Sequence, residues 1–272
     1  MIPEWFEVTL AAILGLMFGS FATVFTYRPP WGDAEERAKV RLREVLGGRS
    51  RCPNCGTTIR AYDNIPVVSY LLLRGRCRNC GQPIAARYPM IELGSGILFA
   101  LAAWKFGLTL IGAAFAFFFW ALLVLSVIDI QHKVLPNRIV FPAIVGGGAL
   151  LVADAIIRVG DVDPLVDAAI GAAIFGGFLF LVAFIYPAGM GMGDVKLALL
   201  LGSFLGYIGG IGLTITGMFM SFLFGGLLGA LIALARGGGR KTQIPFGPWL
   251  ALGTVTAVVA GQPILDWYVG IL

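Results

Sequence analysis

Asp129 closes the apolar run AFAFFFWALLVLSVID, and Asp194 follows the glycines of GMGD and opens the run VKLALLLGSFLG. A charged side chain in such a run costs roughly 2.5–3.5 kcal/mol on insertion scales, so each acid reads first as functional. Two carboxyls brought together resist double ionisation and share a proton. Such a pair can take a proton from water and give one to a leaving nitrogen, which is what hydrolysis of a peptide bond requires. Other nucleophile chemistries find few groups here. The single histidine, His132, has no evident serine or cysteine partner. It either orients Asp129 or is solvated in a loop.

Four cysteines form a second constellation. Cys52 and Cys55 make one Cys-x-x-Cys, Cys77 and Cys80 another, and Gly56 and Gly81 follow them. Glycine permits the tight turn of a metal knuckle, and two knuckles supply the four thiolates of a closed, structural zinc site. Disulfides and an iron–sulfur cluster are the alternatives. A short polar stretch with few apolar residues needs such a staple. Ahead of it, GDAEERAKVRLREVLGG reads as a charged amphipathic helix ended by Gly47 and Gly48.

The elements that must position these groups are membrane helices. The chain is 58% hydrophobic and 13% charged, with a mean hydropathy of +0.87. Glu4 and Glu7 precede the first apolar run, which is long enough to span, so the start is not read as a cleavable signal. Apolar length predicts about eight spans, over 8–27, 89–104, 108–128, 139–157, 166–186, 194–209, 211–235 and 247–270. The expected organisation is a first helix over 1–27, a polar insert over 28–88, and a membrane-embedded domain over 89–272. Residues 28–88 carry twelve Lys or Arg. Lys133, Arg138, Lys196, Arg236, Arg240 and Lys241 fall on the same side, while Lys105 and Arg158 are left for the other, with Asp154, Asp161, Asp163 and Asp167. The positive-inside rule therefore makes the insert cytoplasmic and both termini periplasmic. Asp129 and Asp194 both land at cytoplasmic span ends. The net charge of +5 is then a topology signal and a fit to anionic lipid, not a nucleic-acid surface.

Flanking residues refine the pair. Gly191 and Gly193 permit a sharp turn that puts Asp194 at a helix N-terminus, where the dipole favours charge by typically 0.3–1 kcal/mol. Asp129 ends its helix, where the negative pole opposes charge. Asp194 is then the expected base and Asp129 the proton holder. Lys196 either pairs with Asp194 or reaches towards headgroups. Glu92, an acid inside an apolar run, is expected to contact substrate or Arg87. Arg28-Pro29-Pro30 reads as a stop to the first span, Tyr62-Asp63-Asn64-Ile65-Pro66 as a turn, and Pro245, Gly247 and Pro248 as the start of the last span.

The sequence resembles the type IV prepilin leader peptidases, bifunctional GxGD-type membrane aspartic peptidases that also N-methylate their product. The resemblance rests on GSFATVFTYRPP (Gly19–Pro30), the double Cys-x-x-Cys segment with YDNIPVVSYLLLRGRC, RYPMIEL (Arg87–Leu93), IDIQHKVLPN (Ile128–Asn137), GMGDVKLALLLG (Gly191–Gly202) and IPFGPWLA (Ile244–Ala251). These occur in the family's order along nearly the whole chain. The resemblance implies Asp129 and Asp194 as the catalytic pair and prepilins and pseudopilins as substrates. It also implies S-adenosylmethionine as methyl donor, and a bacterial inner-membrane location. It suggests a bearing of Gly75 on methylation. Where the family commonly reads Leu-Pro-Asp, this chain has Leu135-Pro136-Asn137, so a third carboxylate is missing. No glycine-rich loop of the soluble methyltransferase kind places the donor site, and the oligomeric state is left open. A proton-coupled transporter using the two aspartates as a relay is the competing reading. A zinc-bearing scaffold without activity is a third. Neither the four cysteines nor the one-sided acids fit a transporter.

Overall fold

A computed structural model describes residues 3–27, 47–187, 190–235 and 245–270. The charged helix expected to begin at Gly32, the Arg28-Pro29-Pro30 stop, and Arg236, Arg240 and Lys241 lie outside these residues. Among the described residues the fold is all-helical, with two isolated β-bridges in the polar insert. The chain divides into two compact units, Met1–Gly112 and Ala113–Leu272.

In the first unit, α1 (Glu4–Tyr27) packs against α3 (Arg87–Phe106). Their backbones approach closely because small residues face each other. A Cβ built on Gly15 would lie 2.6 Å from the Ser95 carbonyl oxygen, and one on Gly19 would lie 2.6 Å from the Glu92 Cα. Between them in sequence lies the insert, whose short helix α2 (Val68–Leu72) precedes the second cysteine pair. Glu7 Oε2 accepts a hydrogen bond from the Leu108 N–H at 3.1 Å, fixing the turn after α3.

The second unit holds most of α4 (Leu110–His132) and all of α5 (Asn137–Asp154), α6 (Asp163–Ile185), α7 (Met192–Ala235) and α8 (Gly247–Val269). A single π turn, Ala155–Val159, continues α5. Its core is aromatic: Phe115, Phe118, Phe119 and Phe204 are fully buried, and the Phe118 and Phe204 rings stack with centroids 4.1 Å apart. Gly147 of α5 leaves room for that cluster, since a Cβ there would lie 2.8 Å from the Phe204 ring.

Among the described residues, seven helices are long and apolar enough to cross a bilayer. The sixth of these, α7, has 44 residues. A straight helix of that length would run about 66 Å, twice the roughly 30 Å hydrocarbon core. It is not straight. Gly209 and Gly210 leave helical geometry (φ −157° and +59°), and Gly217 packs against Leu205, so the chain doubles back into two arms. The break falls between the expected spans 194–209 and 211–235, which restores the count of about eight. Gly210 is needed there because φ is positive.

Candidate active site

Asp129 occupies the last turn of α4 and is buried. The helix ends just after it, where Lys133 adopts φ +54° and returns its N–H to the Asp129 carbonyl at 2.8 Å. The Asp129 side chain is not left without a partner. Its Oδ2 accepts a hydrogen bond from the Gly247 N–H at 2.9 Å, a contact across 118 residues of sequence. Gly247 is the first residue of α8, so its N–H is one of the unsatisfied donors at a helix N-terminus. A Cβ at this position would sit 2.8 Å from Asp129 Oδ2 and 3.4 Å from Leu135 Cδ2, so glycine is what lets the donor approach.

Asp194 lies in the first turn of α7. Its N–H bonds back to the Gly191 carbonyl at 3.1 Å, closing the glycine turn onto the first turn of α7. Leu135, in the turn between α4 and α5, connects the two acids. The Cβ that Gly193 lacks would lie 2.9 Å from Leu135 Cβ, and Leu135 also lies against Gly247. Gly193 and Gly247 thus make room for one leucine, which packs against both the residue before Asp194 and the donor to Asp129. Both acids stand at helix N-termini, Asp194 at α7 and Asp129 against α8. The Gly247 donor thus offsets the negative pole of α4 that the sequence sets against Asp129. The return of the last helix supplies Asp129 with the donor that its own helix end withholds.

Lys196 does not pair with Asp194. Its Nζ donates to Asn137 Oδ1 at 2.9 Å and lies 5.4 Å from the centroid of the Phe141 ring. The position that differs from the family pattern is thus the lysine's partner, now a neutral one. His132 is exposed at the last position of α4. Gly247 was legible as a helix start but not as a donor, and Leu135 carried no signal at all. A glycine-proline pair opening a distant helix was the one available clue to the first.

Two candidate residues sit in the other unit. Glu92 Oε2 accepts a hydrogen bond from the Val67 N–H at 2.7 Å, whereas Arg87 lies over the rings of Tyr27 and Tyr88. Glu92 therefore ties the insert to α3 and does not pair with Arg87. Gly75 has φ +66°, donates its N–H to the Tyr70 carbonyl at 2.8 Å, and packs its α-carbon against the Tyr70 ring. Its place as the left-handed residue after α2 accounts for glycine there.

The four cysteines converge. Their Sγ atoms all lie within 4.8 Å of one another, and Cys52 and Cys80 are 3.8 Å apart, unbridged. Sulfurs held at 2.3 Å around a tetrahedral ion would be about 3.8 Å apart, so the cluster fits a metal ion. The two knuckles are built alike. Gly56 and Gly81 have φ +69° and +68° and return their N–H groups to Cys52 and Cys77. Hydrogen bonds from the Thr57 side chain and backbone, with help from Asn79, push the Cys55 thiol down to about 6, while at Cys80 the lowering bond from the Gln82 backbone is outweighed by burial and the neighbouring thiols, which push it up to about 11. A thiolate is the form a metal requires.

Residues 13–106 match the bacterial peptidase A24 N-terminal domain, and residues 116–234 match the type IV leader peptidase family. The prepilin leader peptidase/N-methyltransferase of Pseudomonas putida is 36% identical over 97% of this chain and 94% of its own. That of Neisseria gonorrhoeae is 36% identical over 97% and 95%, and that of Legionella pneumophila 31% identical over 98% and 96%. No solved structure matches the chain.

Proposed function

The chain belongs to the type IV leader peptidase family, and from that premise we propose that Asp129 and Asp194 cleave the basic leader from prepilins and pseudopilins. The observation that carries this reading is the pair itself, held together through Gly247, Leu135 and Gly193 at the ends of three helices. One aspartate, ionised, takes a proton from water as the water oxygen attacks the scissile carbonyl carbon, and the other gives its proton to the carbonyl oxygen. The tetrahedral intermediate then collapses. The first aspartate passes its new proton to the leaving nitrogen, the C–N bond breaks, and a hydroxyl proton of the intermediate returns to the second. One water is consumed and the shared proton is restored.

The substrate's short basic leader stays on the cytoplasmic side and its apolar helix lies among the spans of 89–272, which leaves the scissile bond at the membrane boundary. Positive charge on 28–88 supports a cytoplasmic insert and periplasmic termini in an inner-membrane protein. Cys52, Cys55, Cys77 and Cys80 hold zinc in a structural role, with no ligand position left open. The relatives' names support a second activity on the freed amine, for which S-adenosylmethionine supplies the methyl group. A transporter gains no support from these relatives. The test uses purified enzyme, a prepilin, and Asp129→Asn and Asp194→Asn variants. Each should lower cleavage by about 10²–10⁴-fold, the usual worth of a positioned acid or base. Methyl transfer to pre-cleaved substrate, followed separately, should persist. Undiminished cleavage by either variant would sink the assignment.

A further inference from the structure

The polar insert does not stand clear of the helices that flank it. Tyr27 ends α1, and Arg87 begins α3 with its guanidinium 5.5 Å from the Tyr27 ring centroid and 5.4 Å from that of Tyr88. Tyrosine and arginine at a span end mark the headgroup level. Glu92 lies deeper, five residues or about 7.5 Å along α3 from Arg87, and level with Gly19 of α1. It is there that Glu92 accepts the Val67 N–H. Val67 has φ +60°, an uncommon conformation for a β-branched residue. A loop is thus drawn below the headgroup level and held in a costly backbone geometry by a membrane-helix carboxyl.

The segment around Val67 and α2 has two unlike sides. Ile65, Val68, Leu71 and Leu72 fall on one side at helical spacing, and Leu71 and Leu72 are 66% and 76% exposed. On the other side Ser69 is buried, with its hydroxyl donating to the Tyr62 carbonyl and accepting from the Ile65 N–H. Arg74 and Arg76, two and four residues beyond Leu72, are exposed, as are Arg60, which donates to the Tyr62 hydroxyl, and Arg78, which is paired with Asp63. An open aliphatic patch followed directly by two exposed arginines, at this depth, has the chemistry of an interfacial segment on anionic lipid.

We propose that residues 65–72 form a lipid-inserted wedge that seats the four-cysteine insert on the anionic bilayer surface beside α1 and α3. The insert is then monotopic as well as tethered at both ends, and Glu92 is its anchor. This rests on the membrane reading alone and stands apart from the peptidase assignment. The test uses the full-length protein in liposomes, with trifluoromethyl-phenylalanine in place of Leu72 or, as an aqueous reference, of the exposed Asn54. Metal content confirms that each folds. Fluorine relaxation by dissolved oxygen, which enriches in lipid, is compared with relaxation by a water-soluble nickel chelate. The oxygen-to-nickel ratio should be several-fold higher at 72 than at 54, and higher in phosphatidylglycerol than in phosphatidylcholine. Replacing Arg74 and Arg76 by Gln should abolish that lipid dependence. Equal ratios at 72 and 54 would place the face in water, and shielding of 72 from both reagents would place it against protein. Either overturns the wedge, and a lipid dependence unchanged in the Arg74→Gln/Arg76→Gln variant overturns the choice of anionic lipid.

Discussion

Asp129 depends on a hydrogen-bond donor that its own helix cannot give. The last carbonyls of α4 point the wrong pole at its carboxyl, and the Gly247 N–H answers from another helix at 2.9 Å. Because a Cβ at that position would come within 2.8 Å of the same oxygen, Gly247→Ala must push the carboxyl off its donor or shift the start of α8. Backbone freedom is not at stake, since Gly247 has an ordinary φ. On the proposed assignment Asp129 is a reacting group, and loss of one charge-assisted hydrogen bond there is worth about 1.5–3 kcal/mol. The variant is therefore expected to lower kcat for leader cleavage by about 10–150-fold at the corresponding 1.4 kcal/mol per decade, with KM for prepilin little changed. Steady-state cleavage of a purified prepilin in lipid checks it, and an unchanged kcat would remove Gly247 from the site. Asp129 and Asp194 were legible because a charge in an apolar run is costly at any position. Gly247 as a donor was not, because a glycine before a proline says where a helix starts but not which carboxyl faces it.

Asp194 is carried on the first arm of α7, and that arm is tied to α5 at both ends. Near the site, Lys196 bonds to Asn137. At the far end, the fully buried Asp154 accepts a bond from the Tyr207 hydroxyl at 2.7 Å and a bidentate pair from Arg158 at 2.7 and 3.0 Å. Tyr207 stands just before the Gly209–Gly210 reversal, so the tie joins that end of the arm to α5. Tyr207→Phe removes one donor and leaves Asp154 buried with the rest, a cost of about 1–3 kcal/mol. It should lower thermal stability accordingly, measured by unfolding in detergent with and without lipid. A melting temperature equal to that of the unaltered protein would show that the tie carries no load. The helices were legible as apolar runs, and even the break in α7 was, since the run is too long for one span. The ties were not. Asp154 and Arg158 read from sequence as charges on the outer side, and nothing in that pattern reveals a tyrosine from another helix closing over them.

At the scale of the whole chain, the two units are held by different means. Met1–Gly112 contains one close helix pair and an insert with little apolar core, closed by four thiols within 4.8 Å of one another. Ala113–Leu272 is closed by aromatic packing such as Phe118 on Phe204. On the proposed metal reading, binding is folding free energy in such an insert, so removing a bound ion should unfold the insert alone. Protons compete with metal for the thiolates, so chelator treatment at mildly acidic pH should strip it more readily than at neutral pH. Hydrogen exchange of the full-length protein in lipid reads the outcome region by region. After chelation, amides over 51–84 should lose protection, among them Cys52, Gly56, Cys77 and Gly81, whose N–H groups close the two knuckles. Amides in α4 to α8 beyond Ala113 should keep theirs, because no thiol contributes to their packing. Cys52→Ser should reproduce the pattern without chelator. Loss of protection across both units would mean that the ion supports the fold as a whole, and unchanged exchange over 51–84 would mean that the insert folds without it.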